Sequence, residues 1–385
     1  MDVGGGDLQR LRRLNSLACL GALRGDVPLT LAELSRRTGL SRASTVEVVT
    51  ELEERGWVEE VPPVQGAMGR PARRYRFRSN AGHVVGLDIG VHKVLATITD
   101  LDGAMVASAR TAVSADLPRG ERLEAADRAV AACLSMAGLG QDDIWAVAAG
   151  TVGVVDRSGR VARVHSIPDW AGVDLVSHFA ASFDAPVRVA NDSRAAALAE
   201  QRLGVAQDVA DLVYLHVGRR PGAASIIEGR LLQGFGGAAG EVGLLPAVRW
   251  MDMGRHLESV PRFAGAPEEQ VAGLVFAAAR EGDREAAAAV ERFAADLAVG
   301  TAALVLTLDP EVVVLGGGFS RSGDVLLEPL RRALAPLVLR MPEVRSSALG
   351  ENCVVLGAAC IAIDHINELL LTEADPLGSR LDRTR

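Results

Sequence analysis

The chain has 385 residues, 49% of them hydrophobic and 23% charged, with a net charge of −8. That length gives two or three compact units, and the mixture of apolar and charged residues excludes a disordered polymer. Four scattered cysteines with no Cys-x-x-Cys exclude a disulfide framework and a zinc knuckle; with no apolar run of transmembrane length and no leader in view, a cytoplasmic protein without a membrane partner is expected.

Charge is uneven along the chain. Residues 1–80 carry 13 Arg against 10 Asp and Glu, and the remainder carries 28 basic against 39 acidic residues. A mildly basic head on an acidic body suits a DNA-binding module joined to a ligand-binding domain. Lys93 is the only lysine, so runs of arginine mean less here than they usually do.

Residues 7–23 read as a helix, with Leu8, Leu11, Leu14, Leu17 (or Ala18) and Leu20 at three- and four-residue steps. Gly25-Asp26-Val27-Pro28 breaks it, Thr30 caps a short helix to Arg37, and Thr38-Gly39-Leu40 turns the chain. Ser41 starts a third helix to about Arg55, with Val46, Val49 and Leu52 on its inner face and Gly56 as its stop. Helix, short helix, glycine turn, helix is the pattern of a helix-turn-helix. Residues 57–61 and 72–78 then read as two strands joined by a Pro/Gly loop, a wing.

The first turn of such a third helix, here Ser41, Arg42, Ser44 and Thr45, reaches base edges in a major groove, where an arginine grips guanine with both arms. Gly69-Arg70-Pro71 presents an arginine on a slim, stiff backbone that fits a narrow minor groove. Alternation puts Tyr75 and Phe77 toward the core and Arg74, Arg76 and Arg78 toward phosphates. Glutamates 51, 53, 54, 59 and 60 favour a protein-binding adaptor instead, but they lie mostly away from the groove-facing end.

Residues 79–82 form a short hinge. Strands 83–89, 94–99 and 105–111 follow, then a helix over about 121–137, a strand 144–151 and a helix 174–183. Val187 to Ala190 runs into Asn191-Asp192-Ser193 and an alanine-rich helix, which sets polar groups at the carboxyl end of a strand, where open α/β sheets hold ligands. Asn, Asp and Ser are also preferred helix caps, so the junction taken alone reads as a cap. The pattern restarts at residues 211–218 and 223–227. Alanine-rich helices over 267–307, a strand 312–315, a helix 324–334 and a closing helix 357–370 complete two related α/β lobes around a cleft.

Five pieces in this order resemble the ROK family of repressors and sugar kinases: Gly86-Leu87-Asp88-Ile89-Gly90, Pro168-Asp169-Trp170, Asn191-Asp192, Gly236-Gly237-Ala238-Ala239-Gly240-Glu241-Val242-Gly243, and Val312 through Gly316-Gly317-Gly318-Phe319-Ser320. The resemblance covers roughly residues 81–371, and the N-terminal part matches the winged helix that ROK repressors carry and ROK kinases lack. It implies an α/β chain: a winged helix-turn-helix over 1–80, then a two-lobed actin-like ATPase domain (ribonuclease H-like, duplicated) over 81–385. Lobe 1 is expected at about 81–203, lobe 2 at about 204–371 and a tail at 372–385. Gly69-Arg70-Pro71 is similar to the family's wing, and Asp192 corresponds to the base that takes the proton from a sugar hydroxyl. Asn191 and Glu241 would add hydroxyl contacts. Trp170 either offers a ring face to the sugar or is an ordinary core aromatic.

The departures from the family are as informative. Backbone amides pressed against phosphates need glycine. Where ROK kinases have Asp-x-Gly-Gly-Thr, this chain has Asp88-Ile89-Gly90-Val91-His92; where they have Gly-Thr-Gly-x-Gly-Gly, it has Gly218-Arg219-Arg220-Pro221-Gly222-Ala223, with a proline that donates no amide. The family's zinc-site histidine is replaced by Leu244, residues 244–258 hold no cysteine, and His256 alone cannot fix a metal. No metal, no cofactor and no catalysis are therefore expected, with Asp192 a relic base. Arg219 and Arg220 leave a phosphorylated ligand open. The expected function is a repressor of carbohydrate metabolism, a homodimer or homotetramer on operator DNA with a sugar or sugar phosphate as effector. A sugar kinase that keeps ATP-dependent transfer is the alternative.

Overall fold

The computed structural model describes residues 4–25, 27–62, 72–164, 166–218 and 220–370. At the N-terminus α1 (Gly4–Leu23) leads through β1 (Leu29–Thr30) into α2 (Leu31–Thr38), α3 (Arg42–Glu54), β2 (Val58–Val61) and β3 (Arg74–Phe77). Thr30 and Glu33 close a capping box on α2, and Gly39 ends that helix in the left-handed region. β1 is too short to show a period, and the sequence reading has no strand there. It pairs with β3, Leu29 opposite Tyr75, in the sheet order β1-β3-β2.

The inner face of α3 differs from expectation. Thr45, Val48, Val49 and Leu52 face inward, while Val46 is 42% exposed. Steps of three and four from Thr45 make one contiguous stripe, and Val46 falls beside it. On α1, Leu11 and Leu14 are exposed and Cys19, Leu20 and Leu23 do the packing.

The first lobe contains β4 (His83–Ile89), β5 (Lys93–Asp100), β6 (Met105–Ala112), α4 (Arg119–Ala137), β7 (Ile144–Thr151), the small hairpin β8 (Val154–Val155) and β9 (Val161–Arg163), α5 (Leu175–Ala180), β10 (Val187–Asn191) and α6 (Asp192–Arg202). The second contains β11 (Leu212–His216), β12 (Gly222–Ile227), β13 (Arg230–Leu231), α7 (Gly254–Glu258), α8 (Glu268–Arg280), α9 (Arg284–Leu308), β14 (Val312–Gly316), α10 (Gly323–Leu334), β15 (Glu343–Ser346) and α11 (Cys353–Leu370). Their sheets run β6-β5-β4-β7-β10 and β13-β12-β11-β14-β15. Each is an antiparallel meander of three strands with two more strands added in parallel beside the first. The duplication, faint in the sequence, is therefore plain in the topology.

α11 packs against α6, β4 and β7. The segment 350–369, most of it α11, is long and apolar enough to cross a membrane by length and composition alone, and most of it is buried inside the protein, as in a core helix. The same helix joins the N-terminal unit in one hydrophobic core that includes Trp57, Phe77, Val84, Trp145, Ala358 and Ile366. Trp57 stacks on Phe77 at 6.2 Å and meets Trp145 edge-on at 5.5 Å. Arg24 lies 4.5 Å over the Phe77 ring and donates to the Leu101 carbonyl, to Asp102 at 3.0 Å and to Asn367 at 2.9 Å. The expected hinge is thus a pinned turn, Ser79–Ala81, whose Ser79 carbonyl accepts from Leu101 N–H at 3.0 Å.

Candidate functional site

β10 ends where α6 begins, and the junction opens on a cavity of about 130 Å3 between the lobes. Asn191, Asp192 and Glu241 line it together, with His216, Arg163 and Leu244 among their neighbours. Asn191 proves to be the cap of α6: its Oδ1 accepts from Ser193 N–H at 3.0 Å and Arg194 N–H at 3.3 Å, and its Nδ2 donates to the Gly153 carbonyl at 3.0 Å. One N–H remains for a ligand. Asp192 accepts from Ser193 N–H at 2.6 Å and from its hydroxyl at 3.2 Å, both on Oδ1. No described residue donates to its second oxygen.

Glu241 enters from the Gly-rich bend of the second lobe. Burial pushes its carboxyl up, the Asp192 charge adds to the rise, and Arg194 opposes it. Arg194, 3% exposed in the first turn of α6, holds that bend in place by donating to the carbonyls of Gln233, at 3.2 Å, and Gly237. Two carboxyl groups facing one cavity suit a ligand rich in hydroxyls. Trp170 is not part of this site. Its ring is fully buried in the core of the first lobe, and its indole N–H donates to Thr151 at 2.9 Å, so the core-aromatic reading holds.

On the N-terminal unit, Ser41 caps α3, accepting from Ser44 N–H at 3.1 Å, and the two hydroxyls lie 2.9 Å apart. Arg42 is exposed in the first turn. Thr45 is corrected: it is fully buried and its hydroxyl donates to the Ser41 carbonyl at 2.9 Å, so it reaches no base. The arginines of β3 do share one face, and each guanidinium makes a contact within the protein. Arg74 donates to the Pro28 carbonyl at 3.0 Å, Arg76 pairs with Glu59 at 2.5 Å, and Arg78 donates to the Gly56 carbonyl at 3.1 Å. One hydrogen bond uses one of the five guanidinium N–H groups, and the Arg74 side chain is 36% exposed, so Arg74 stays a candidate phosphate contact. Sequence reasoning passed over Arg36 and Arg37, both exposed in the last turn of α2 just ahead of Arg42. Gly69, Arg70 and Pro71 lie outside the described residues.

The sequence profile of the ROK family matches residues 84–259 and 253–365, and that of the IclR helix-turn-helix domain matches residues 14–62. The chain belongs to the ROK family. It is similar to the xylose repressor of Caldicellulosiruptor bescii, 24% identical over 384 residues that span 92% of this chain and 96% of that one. It is also similar to the glucokinase of Thermotoga maritima, 31% identical over 252 residues, 57% of this chain and 80% of that one. Among solved structures, a ROK family transcriptional regulator described as a homologue of the E. coli MLC protein superposes with a TM-score of 0.75 at 21% identity, covering 97% of this chain and all of the other.

Charged side chains gather at the hairpin between β4 and β5. Lys93 lies 3.3 Å from the buried Asp88 carboxylate, donates to the Glu351 carbonyl at 2.7 Å and sits 3.8 Å from the Glu351 carboxylate. Arg110 from β6 and Arg321 from the loop after β14 reach the same Glu351 at 2.9 and 3.3 Å. Behind the first hairpin, the fully buried Arg122 donates to the carbonyls of Gly90 at 2.6 Å and Ser114 at 2.7 Å. The surviving Gly316-Gly317 has a packing reason of its own, since a Cβ on Gly316 would meet the Tyr214 hydroxyl at 2.1 Å. His256 pairs with Asp296 at 2.8 Å, and no group of three His, Cys, Asp or Glu among the described residues is placed to hold a metal.

Burial pushes the Asp88 carboxyl up from 3.8 to about 6, with Lys93 pulling it down and Asp192 raising it further. The folded chain then holds this proton more tightly than the unfolded one, so this group's contribution to stability falls as pH rises between 3.8 and about 6. Asp88→Asn should remove that falling segment from the curve of melting temperature against pH. Parallel curves for the two proteins would show that the buried carboxyl does not titrate in this way.

Proposed function

We propose that the chain is a sugar-responsive transcriptional repressor of carbohydrate-utilisation genes whose kinase-like cleft senses and does not phosphorylate. The observation that carries this reading is the charged network of Lys93, Asp88 and Glu351 on the nucleotide side of a cleft that keeps Asp192 and Glu241 on its sugar side. The likeness to a xylose repressor along nearly the whole chain supports it. In this reading a dimer or tetramer presents two winged helices to a palindromic operator. A sugar or sugar phosphate enters the cleft, contacts Asp192, Glu241 and the free N–H of Asn191, and changes the angle between the lobes. α11 and the shared core around Trp57 and Trp145 carry that change to the recognition helices, for which about 1–3 kcal/mol of coupling suffices.

Operator selection followed by gel shift, with and without xylose, glucose, mannose, galactose and N-acetylglucosamine, tests the whole scheme. Arg42→Ala should weaken operator binding by ~1–3 kcal/mol, roughly 5- to 150-fold, and relax preference at one base pair of each half-site. Unchanged affinity and preference would remove Arg42 from the recognition surface. The likeness to a glucokinase keeps one rival in view: sugar-dependent ATP turnover lost in Asp192→Ala would establish a kinase and end the sensor reading.

A further inference from the structure

β11 alternates between two environments. Val213 and Leu215 belong to the helical core of the second lobe, whereas Leu212 and Tyr214 pack with α6. The period of two puts His216, the last residue of the strand, on the α6 side. Asp192 and Ser193 start that helix, and His216 lines the same cavity as both. Its partners in the strand register are glycines on either side, Gly222 on β12 and Gly316 on β14. A Cβ on Gly222 would meet Ser193 Oγ at 2.6 Å, and one on Gly317 would meet the imidazole Cδ2 at 2.9 Å. Glycines thus keep open the slot in which the ring stands.

The His216 Nδ1 is shut off from solvent and has no hydrogen-bond partner. The other buried polar atoms in that position, on Trp57, Arg122 and Ser225, belong to residues that do not line the cavity. A buried ring nitrogen left unpaired is a cost, and a polar group bound beside the ring relieves it once the ring turns that nitrogen toward the cavity. Of the other polar groups that line the cavity, the Asp192 and Glu241 carboxylates accept when ionised and the Asn191 amide is largely occupied by its cap; His216 adds a group that both donates and accepts, beside the Ser166 and Ser193 hydroxyls and the exposed Arg163 and Arg220. A sugar hydroxyl both donates and accepts, and a neutral imidazole can answer it in either sense.

We propose that His216 is a ligand-contacting residue, its imidazole hydrogen-bonding an effector hydroxyl from the second lobe while Asp192 grips the sugar from the first. This rests on the reading of the cleft as a sugar site. A sugar held by both residues ties β11 to α6, and so makes lobe closure depend on the pattern of its hydroxyls.

The test begins with calorimetric titration of the full chain with xylose, glucose, mannose, galactose and N-acetylglucosamine, and takes forward the sugar that binds most tightly. His216→Leu should melt no lower than the wild type, because it removes an unpaired buried nitrogen, and should bind that sugar about tenfold or more weakly. His216→Asn, which keeps a polar group close to the ring nitrogen, should recover part of the loss. One monodeoxy analogue of the sugar should bind His216→Leu as well as the parent sugar does, while the wild type discriminates between them; a merely structural role would not produce that coupling. Equal sugar affinity in wild type and His216→Leu, or unchanged discrimination among the deoxy analogues, overturns the role of His216 and leaves the sugar site standing. If none of the five sugars binds the wild type, the sugar reading fails and the proposal falls with it.

Discussion

Asp192→Ala should abolish the response to sugar and leave operator binding in its absence intact. Asp192 offers a carboxylate oxygen that no described residue engages, inside the cavity it shares with Glu241. Hydrogen bonds to an ionised group contribute about 1.5–3 kcal/mol each, so losing this carboxylate should weaken sugar binding by roughly 100-fold. The fold should tolerate the change, because Asn191 and not Asp192 caps α6, and because removing Asp192 relieves the charge that raises both Asp88 and Glu241. The variant is then a repressor that no sugar releases. Calorimetry and gel shift measure the two halves separately, and wild-type sugar affinity in Asp192→Ala would sink the assignment of the cleft.

The largest loss of stability is expected from Trp145→Ala. Trp145 is 1% exposed, lies edge-on to Trp57 at 5.5 Å and underlies the turn at Gly82, where a Cβ would come within 2.2 Å of its ring. Truncating a buried tryptophan costs about 3–5 kcal/mol through lost burial and an unfilled cavity. That loss falls where the N-terminal unit meets the first lobe, so the variant should bind sugar normally yet fail to pass the signal to DNA. Residues 79–82 should also become a site of proteolytic nicking. Trp145→Phe should restore part of both properties. A Trp145→Ala protein that melts like the wild type and still releases operator on adding sugar would show that the message travels another way.

The elements were largely legible in one dimension. Apolar spacing marks α3 and α9, Thr30 with Glu33 announces a helix start, and the repeat of strand signals at residues 83 and 211 marks two lobes. β1 escaped because two residues carry no period and the strand exists only through its pairing with β3. The junction at Asn191 was found, but its two neighbouring side chains proved to differ: both line the cavity, while Asn191 alone also closes the helix. The network of Lys93, Asp88 and Glu351 was invisible, since Lys93 and Glu351 are 258 positions apart. One signal was nonetheless available. A chain that uses arginine for every other cation keeps a single lysine, and that lysine pairs with the buried Asp88.

What the amino-acid order determined by itself was the kind and succession of secondary elements and the short list of polar residues at strand ends. These follow from backbone preference, capping and side-chain type, all of which act over a few residues. Only the tertiary structure decided which of those polar groups still have a hand free. It buried Thr45 and Trp170, tied Arg74 to a carbonyl, and brought Glu241 and His216 to face Asp192. Hydrogen bonds and desolvation depend on neighbours in space, and those neighbours come from strands and helices that the sequence keeps far apart.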